Sequence, residues 1–229
     1  MEVSIFIMLK IFIAFMLFSI SSASAEASNS PEWVSGLNAA QNAEQIAIVS
    51  GTNGTNARFS FHKKDETGTW QQIVSCPAYI GRNGWGKTRE GDGKTPTGIY
   101  TFTMAFGIKA DPGCPMGYTQ ADDSHYWVGD SASDMYNRFV SVNDYGGFSR
   151  KDSEHIIDYT TAYKYCLNIS YNENGTPGKG SAIFLHCQTK NHYTAGCVAI
   201  PENAMREVLR NVREGCVVIM DTGKNIRGY

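Results

Sequence analysis

Residues 181–200 read SAIFLHCQTKNHYTAGCVAI. Two apolar runs, SAIFL at 181–185 and CVAI at 197–200, flank a polar loop, the pattern of two strands and a connection. His186 closes the first run, and eleven positions later Cys197 opens the second, directly after Gly196. A thiol attacks only as thiolate, so it needs a base or a cation close by. An imidazole at a strand end serves if the next strand comes back alongside it. Gly196, without a side chain, lets a substrate carbonyl approach the backbone at Cys197, where N–H groups can hold the oxyanion of a tetrahedral intermediate. The Thr194 hydroxyl can orient that turn.

Other readings compete. A cysteine beside a strand is most often a small buried hydrophobe. A zinc site built from His186, Cys187, His192 and Cys197 has irregular spacing and no Cys-x-x-Cys pair. His186 and Cys187, being adjacent, face opposite ways on a strand, which argues against one shared centre. No metal or other cofactor is expected. His192, between the pair, is an alternative base.

On the C-terminal side, Pro201 and Glu202 favour a helix start. Met205, Val208, Leu209 and Val212 then form one apolar face at helical spacing, with Gly215 as a stop. CVVIM at 216–220 reads as a buried closing strand. Upstream, strands are expected at Gln45–Ser50, Arg58–His62 and Trp70–Cys76, joined by short polar turns that imply an antiparallel meander. Gly98–Ala105 is a further strand, and a short helix is expected at Trp33–Ala43. Residues 106–171 are aromatic and irregular, an insert long enough to shape a site or a lid. The 23 glycines and 12% aromatic content fit a mainly β fold.

Gly81–Thr88, GRNGWGKT, formally matches a phosphate-binding loop. The motif needs a helix starting at the lysine, and the following REGDGKTP cannot form one. No nucleotide partner is expected. A net charge of −2 with scattered basic residues gives no case for nucleic acid.

Residues 11–20, IFIAFMLFSI, follow Lys10 and precede Ala23-Ser24-Ala25, an A-x-A cleavage site. Residues 1–25 therefore read as a signal peptide, too short in its apolar run to span a bilayer. The product is expected to be exported to a periplasm, wall or extracellular space, with no other membrane segment. Six cysteines are then exposed to oxidising conditions, but they show no pairing pattern.

The block His186…Thr194-Ala195-Gly196-Cys197-Val198 resembles the signature of the L,D-transpeptidase (YkuD-type) catalytic domain family, in which a histidine precedes an [S/T]-x-G-C block. Glu90–Tyr100, EGDGKTPTGIY, is similar to that family's D-x-x-T-P-x-G hairpin segment, and Ser153-Glu154-His155 to a segment of one branch. The resemblance implies a β-sandwich or barrel-like domain over residues 70–221 with one or more helices packed on it. Residues 26–69 would be a lead-in with the first strands, and 222–229 a tail.

It also implies a chemistry. The substrate is a peptidoglycan stem peptide, Cys197 the nucleophile and His186 its base, with Thr194, Ala195 and Gly196 against the substrate. A thioester forms at the third stem residue with loss of D-alanine, and an acceptor amine resolves it into a 3-3 cross-link. Resolution by water would make the enzyme an L,D-carboxypeptidase; a wall-binding module with an idle cysteine is the non-catalytic alternative. Cys187, Ala195 and Ala199 depart from the residues many members carry there, which bears on acceptor choice. His125, Cys197 and Arg206 mimic the order of sortase residues, though Arg206 falls within the expected helix.

Overall fold

The computed structural model describes residues 28–52 and 54–229; the expected signal peptide lies outside them. In chain order the described residues form β1 (Ser28–Asn29), α1 (Glu32–Ser35), β2 (Gln45–Gly51), β3 (Asn56–Lys64), β4 (Trp70–Tyr79) and β5 (Gly98–Gly107). Then follow β6 (Thr119–Gln120), β7 (His125–Trp127), β8 (Phe139–Ser141), β9 (Glu154–His155), β10 (Cys166–Ile169) and β11 (Phe184–Cys187). The chain closes with β12 (Val198–Ile200), α2 (Glu202–Asn211) and β13 (Val217–Thr222).

Eight strands close on themselves in the order β4-β12-β11-β10-β5-β13-β2-β3, with β3 returning to β4. The mainly β expectation of a sandwich or barrel thus takes the form of a barrel. The ring draws on β2 and β3 from the lead-in as well as on later strands. The meander β2–β3–β4 is antiparallel, as its short turns require. β13 instead runs parallel to β2, and β12 parallel to β11.

The apolar runs at 46–49 and 217–220 are continuous rather than alternating because both faces of these strands are covered. Ala47, Val49, Val218 and Met220 join the main core. Ile46, Ile48 and Ile219 pack outward under Val34, Leu37 and Ala40 of the N-terminal segment. α2 buries Ala204, Met205, Val208 and Leu209 in the main core against β4 and β11. Burying Met205, Val208 or Leu209 contributes about 1.5–3 kcal/mol each.

Four local expectations shift. The helix expected over Trp33–Ala43 is a single turn at Glu32–Ser35 and a 3-10 turn at Asn38–Ala40, because Leu37 between them is extended. The strand expected at 181–185 begins only at Phe184, since Ala182 has a left-handed φ of 55°. α2 ends before Gly215: Val212 turns extended and its side chain enters the core. Within the insert, Cys166–Ile169 is a strand of the ring itself, between β5 and β11. The rest of the insert carries a second sheet, β8-β7-β9, beside the barrel.

Candidate active site

The parallel register of β11 and β12 brings the two predicted side chains to one face. Leu185 is level with Val198 and His186 with Ala199. Paired residues of a parallel ladder point the same way and neighbours alternate. Leu185, Cys187, Val198 and Ile200 therefore enter the main core. Phe184, His186, Cys197 and Ala199 face the other side, with Cys197 one residue before β12 begins. His186 and Cys197 line one cavity of about 420 Å³. Gly196, Thr194 and Ala195 line it too.

The sulfur is nearly covered, with Cys197 7% exposed, and it is a free thiol like the other five cysteines. Its S–H is donated to the Ala182 carbonyl at 3.1 Å, and the Phe184 N–H is donated to Sγ at 3.3 Å. Burial pushes the Cys197 thiol up to about 12; the negative charge of Glu154 adds to this, and the Phe184 N–H and the Lys87 ammonium oppose it. His186 Nδ1 lies 2.8 Å from the Cys187 carbonyl. A carbonyl only accepts, so Nδ1 carries the proton and Nε2 is the free base nitrogen. Burial lowers the imidazole to about 4, partly offset by that carbonyl. Between those values the pair rests as neutral thiol and neutral imidazole, not as an ion pair.

The turn before the nucleophile is held from two directions. Thr194 Oγ1 donates to the Cys197 carbonyl at 2.7 Å and accepts the Gly196 N–H at 3.1 Å. Its hydroxyl is thus used inside the turn, whereas Ala195 is exposed at the cavity rim. Thr95, fully buried, donates to the Gly196 carbonyl at 2.8 Å and accepts the Gly81 N–H at 2.8 Å. Gly196 has a further reason to lack a side chain: its φ is 155°, and a Cβ would stand 2.9 Å from the Lys94 carbonyl. Asp92 orders the same loop, accepting N–H bonds from Thr88, Arg89 and Lys94 and pairing with Lys87 at 3.1 Å. No helix starts at Lys87; the loop runs on through turns and isolated bridges.

Two residues not anticipated as site residues also face the cavity. Tyr163 sets its ring edge against the His186 ring, centroids 5.7 Å apart, and donates its hydroxyl to Glu154 Oε2 at 2.5 Å. Glu154 was legible only as part of the Ser-Glu-His segment. Burial raises its carboxyl to about 7, the Tyr163 hydroxyl works against this, and the charge of Glu90 adds to it.

The alternatives separate from the site. Cys187 enters the core, its S–H toward the Tyr165 carbonyl, so it cannot share a metal with His186. His192 stacks on Tyr79 with centroids 5.0 Å apart and is not a cavity residue. His125 pairs with Asp122 at 2.7 Å, and Arg206 lies within α2; neither lines the cavity.

Fold and cavity together define a class: a closed β ring presenting a thiol and an imidazole, from parallel neighbouring strands, to one concave surface. The chain belongs to the YkuD family, the L,D-transpeptidase catalytic domain, whose profile matches residues 46–220. No curated protein shows significant sequence similarity to it. Among solved structures it is similar to the helical cell shape determining protein Pgp2 from Campylobacter jejuni, at 17% identity and a TM-score of 0.38. That match covers 78% of this chain and 48% of Pgp2, so the chain spans about half the length of that protein. Among the described residues no helix is long and apolar enough to cross a membrane.

Proposed function

We propose that the protein is an exported cysteine transpeptidase of peptidoglycan stem peptides. Cys197 attacks the carbonyl of the third stem residue while His186 Nε2 takes the thiol proton, and the same imidazole returns that proton to the departing D-alanine nitrogen. The resulting thioester passes its acyl group to an acceptor amine, forming a 3-3 cross-link without ATP. The observation that carries this reading is the pinned tautomer: with Nδ1–H held by the Cys187 carbonyl, Nε2 is the basic nitrogen in a cavity shared with the sulfur. The resting neutral pair means that the proton leaves sulfur only as attack proceeds. With the Gly196 N–H committed to Thr194, the oxyanion donor assigned in this mechanism is the Cys197 N–H beside its own sulfur.

A second reading is hydrolysis of the same thioester. Ala199 lines the cavity beside the nucleophile and offers no polar group to orient an amine. The test is product analysis of a stem tetrapeptide with and without an acceptor amine. Cross-linked dimer supports transfer, and tripeptide alone supports hydrolysis. Peptidoglycan effects unchanged by Cys197→Ala would overturn both.

A further inference from the structure

Resting on the thioester mechanism above, the second half-reaction leaves a proton without a carrier. Aminolysis by an ammonium is RCO–S–Cys + R′NH₃⁺ → RCO–NHR′ + HS–Cys + H⁺. One C–N bond forms, one C–S bond breaks, and the nitrogen gives up two protons. One reaches sulfur by way of His186. The other needs a second acceptor, because a neutral imidazole takes one proton at a time.

We propose that Glu154 is that acceptor: its carboxylate receives the incoming ammonium in the cavity and takes the first proton, making the amine nucleophilic. β9 pairs with β7, with Glu154 opposite Trp127 and His155 opposite Tyr126. His155 stacks on Tyr126 with centroids 4.4 Å apart, while Glu154 lines the cavity with Cys197 and His186. Oε2 is fixed by the Tyr163 hydroxyl at 2.5 Å, and that tyrosine's ring also abuts His186. Oε1 takes no hydrogen bond from any described residue and is not among the sealed, unpartnered atoms, so it is left to the cavity.

The electrostatics agree with a role after acylation. Glu154's charge raises the Cys197 thiol, so a carboxylate here opposes the first step rather than assisting it. The titratable groups that act on it or feel it are Tyr163, Glu90, Tyr159, Cys166 and Cys197. Lys87 and Arg82 are the cations on the cavity wall, and Lys87 is engaged by Asp92. Glu154 thus titrates near 7, able to hold a proton briefly and release it to solvent.

The experiment follows the acyl-enzyme by intact mass while turnover is measured, using a stem tetrapeptide as donor and a diamine as acceptor. Wild type should form a Cys197 adduct that disappears with turnover, its deacylation rate rising through about pH 7. Glu154→Gln should acylate at least as fast, accumulate the adduct, deacylate about a hundredfold more slowly and lose the rise near pH 7. Glu154→Asp, which keeps the charge, should restore part of the rate and the pH dependence, and it carries the test should the glutamine variant not fold. Deacylation by Glu154→Gln at the wild-type rate with an unchanged pH profile would overturn the assignment alone. So would a defect confined to acylation, or an aspartate variant no better than the glutamine one. Absence of any Cys197 adduct on wild type would overturn the thioester mechanism and this proposal with it.

Discussion

Replacing Thr95 with valine keeps the shape of a fully buried side chain and removes one oxygen. That oxygen donates to the Gly196 carbonyl at 2.8 Å, reaches the Cys197 carbonyl at 3.4 Å, and accepts the Gly81 N–H at 2.8 Å. The carbonyl of Cys197 keeps its bond from Thr194. The variant therefore strands one buried acceptor at Gly196 and one buried donor at Gly81. At about 1–3 kcal/mol for each unmet group, Thr95→Val should lose about 2–6 kcal/mol. Thr95→Ser keeps the hydroxyl and removes one methyl, so its loss should be about 1 kcal/mol. Urea denaturation measures both. The stranded carbonyl belongs to the residue before the nucleophile, so acylation by the folded fraction of Thr95→Val should fall about tenfold or more, since small misplacements cost that much. Valine and serine variants of equal stability, with wild-type acylation, would refute the claim that Thr95 braces the nucleophile turn.

Gly196→Ala should destabilise the protein by about 1–3 kcal/mol and abolish acylation, because alanine resists a φ of 155° and its Cβ meets the Lys94 carbonyl at 2.9 Å; a stable, active variant would contradict the geometry. His62 and His186 are both held near 4 by burial, below the usual 6.5. Their folded pKa values are depressed, so this contribution is intact above 6.5 and lost as pH falls from 6.5 toward 4, about 3 kcal/mol for each. Denaturation midpoints measured across that window check the sign, and His62→Gln should reduce the slope. Acylation should stay nearly flat down to about pH 5, since His186 remains neutral there; a steep loss around 6.5 would show a solvated imidazole instead.

Much of the barrel is legible because its signals are local. β2, β3 and β4 are joined by tight polar turns, and α2 announces itself through Met205, Val208 and Leu209. β10 is not legible. It is four residues, CLNI, within a long aromatic insert, and its partners β5 and β11 are supplied by distant sequence. The site divides the same way. The eleven-residue interval from His186 to Cys197 is readable, and the parallel register turns it into a shared face. Thr95 reaches the Gly196 carbonyl across 101 positions, which no local pattern encodes, although it lies in the segment that resembles the family's hairpin. Glu154, on β9, and Tyr163, in the 3-10 turn Ala162–Lys164 that packs against β11, become site residues only because the insert folds back onto the ring.

The central claim is that one sulfur, at Cys197, carries the acyl group. Intact-mass analysis after incubation with a carbapenem, an acylating mimic of the stem-peptide substrate, tests it most directly. A single covalent adduct is predicted on wild type and on Cys187→Ala, and none on Cys197→Ala. An adduct that persists on Cys197→Ala, or its absence from folded wild type, would contradict the account.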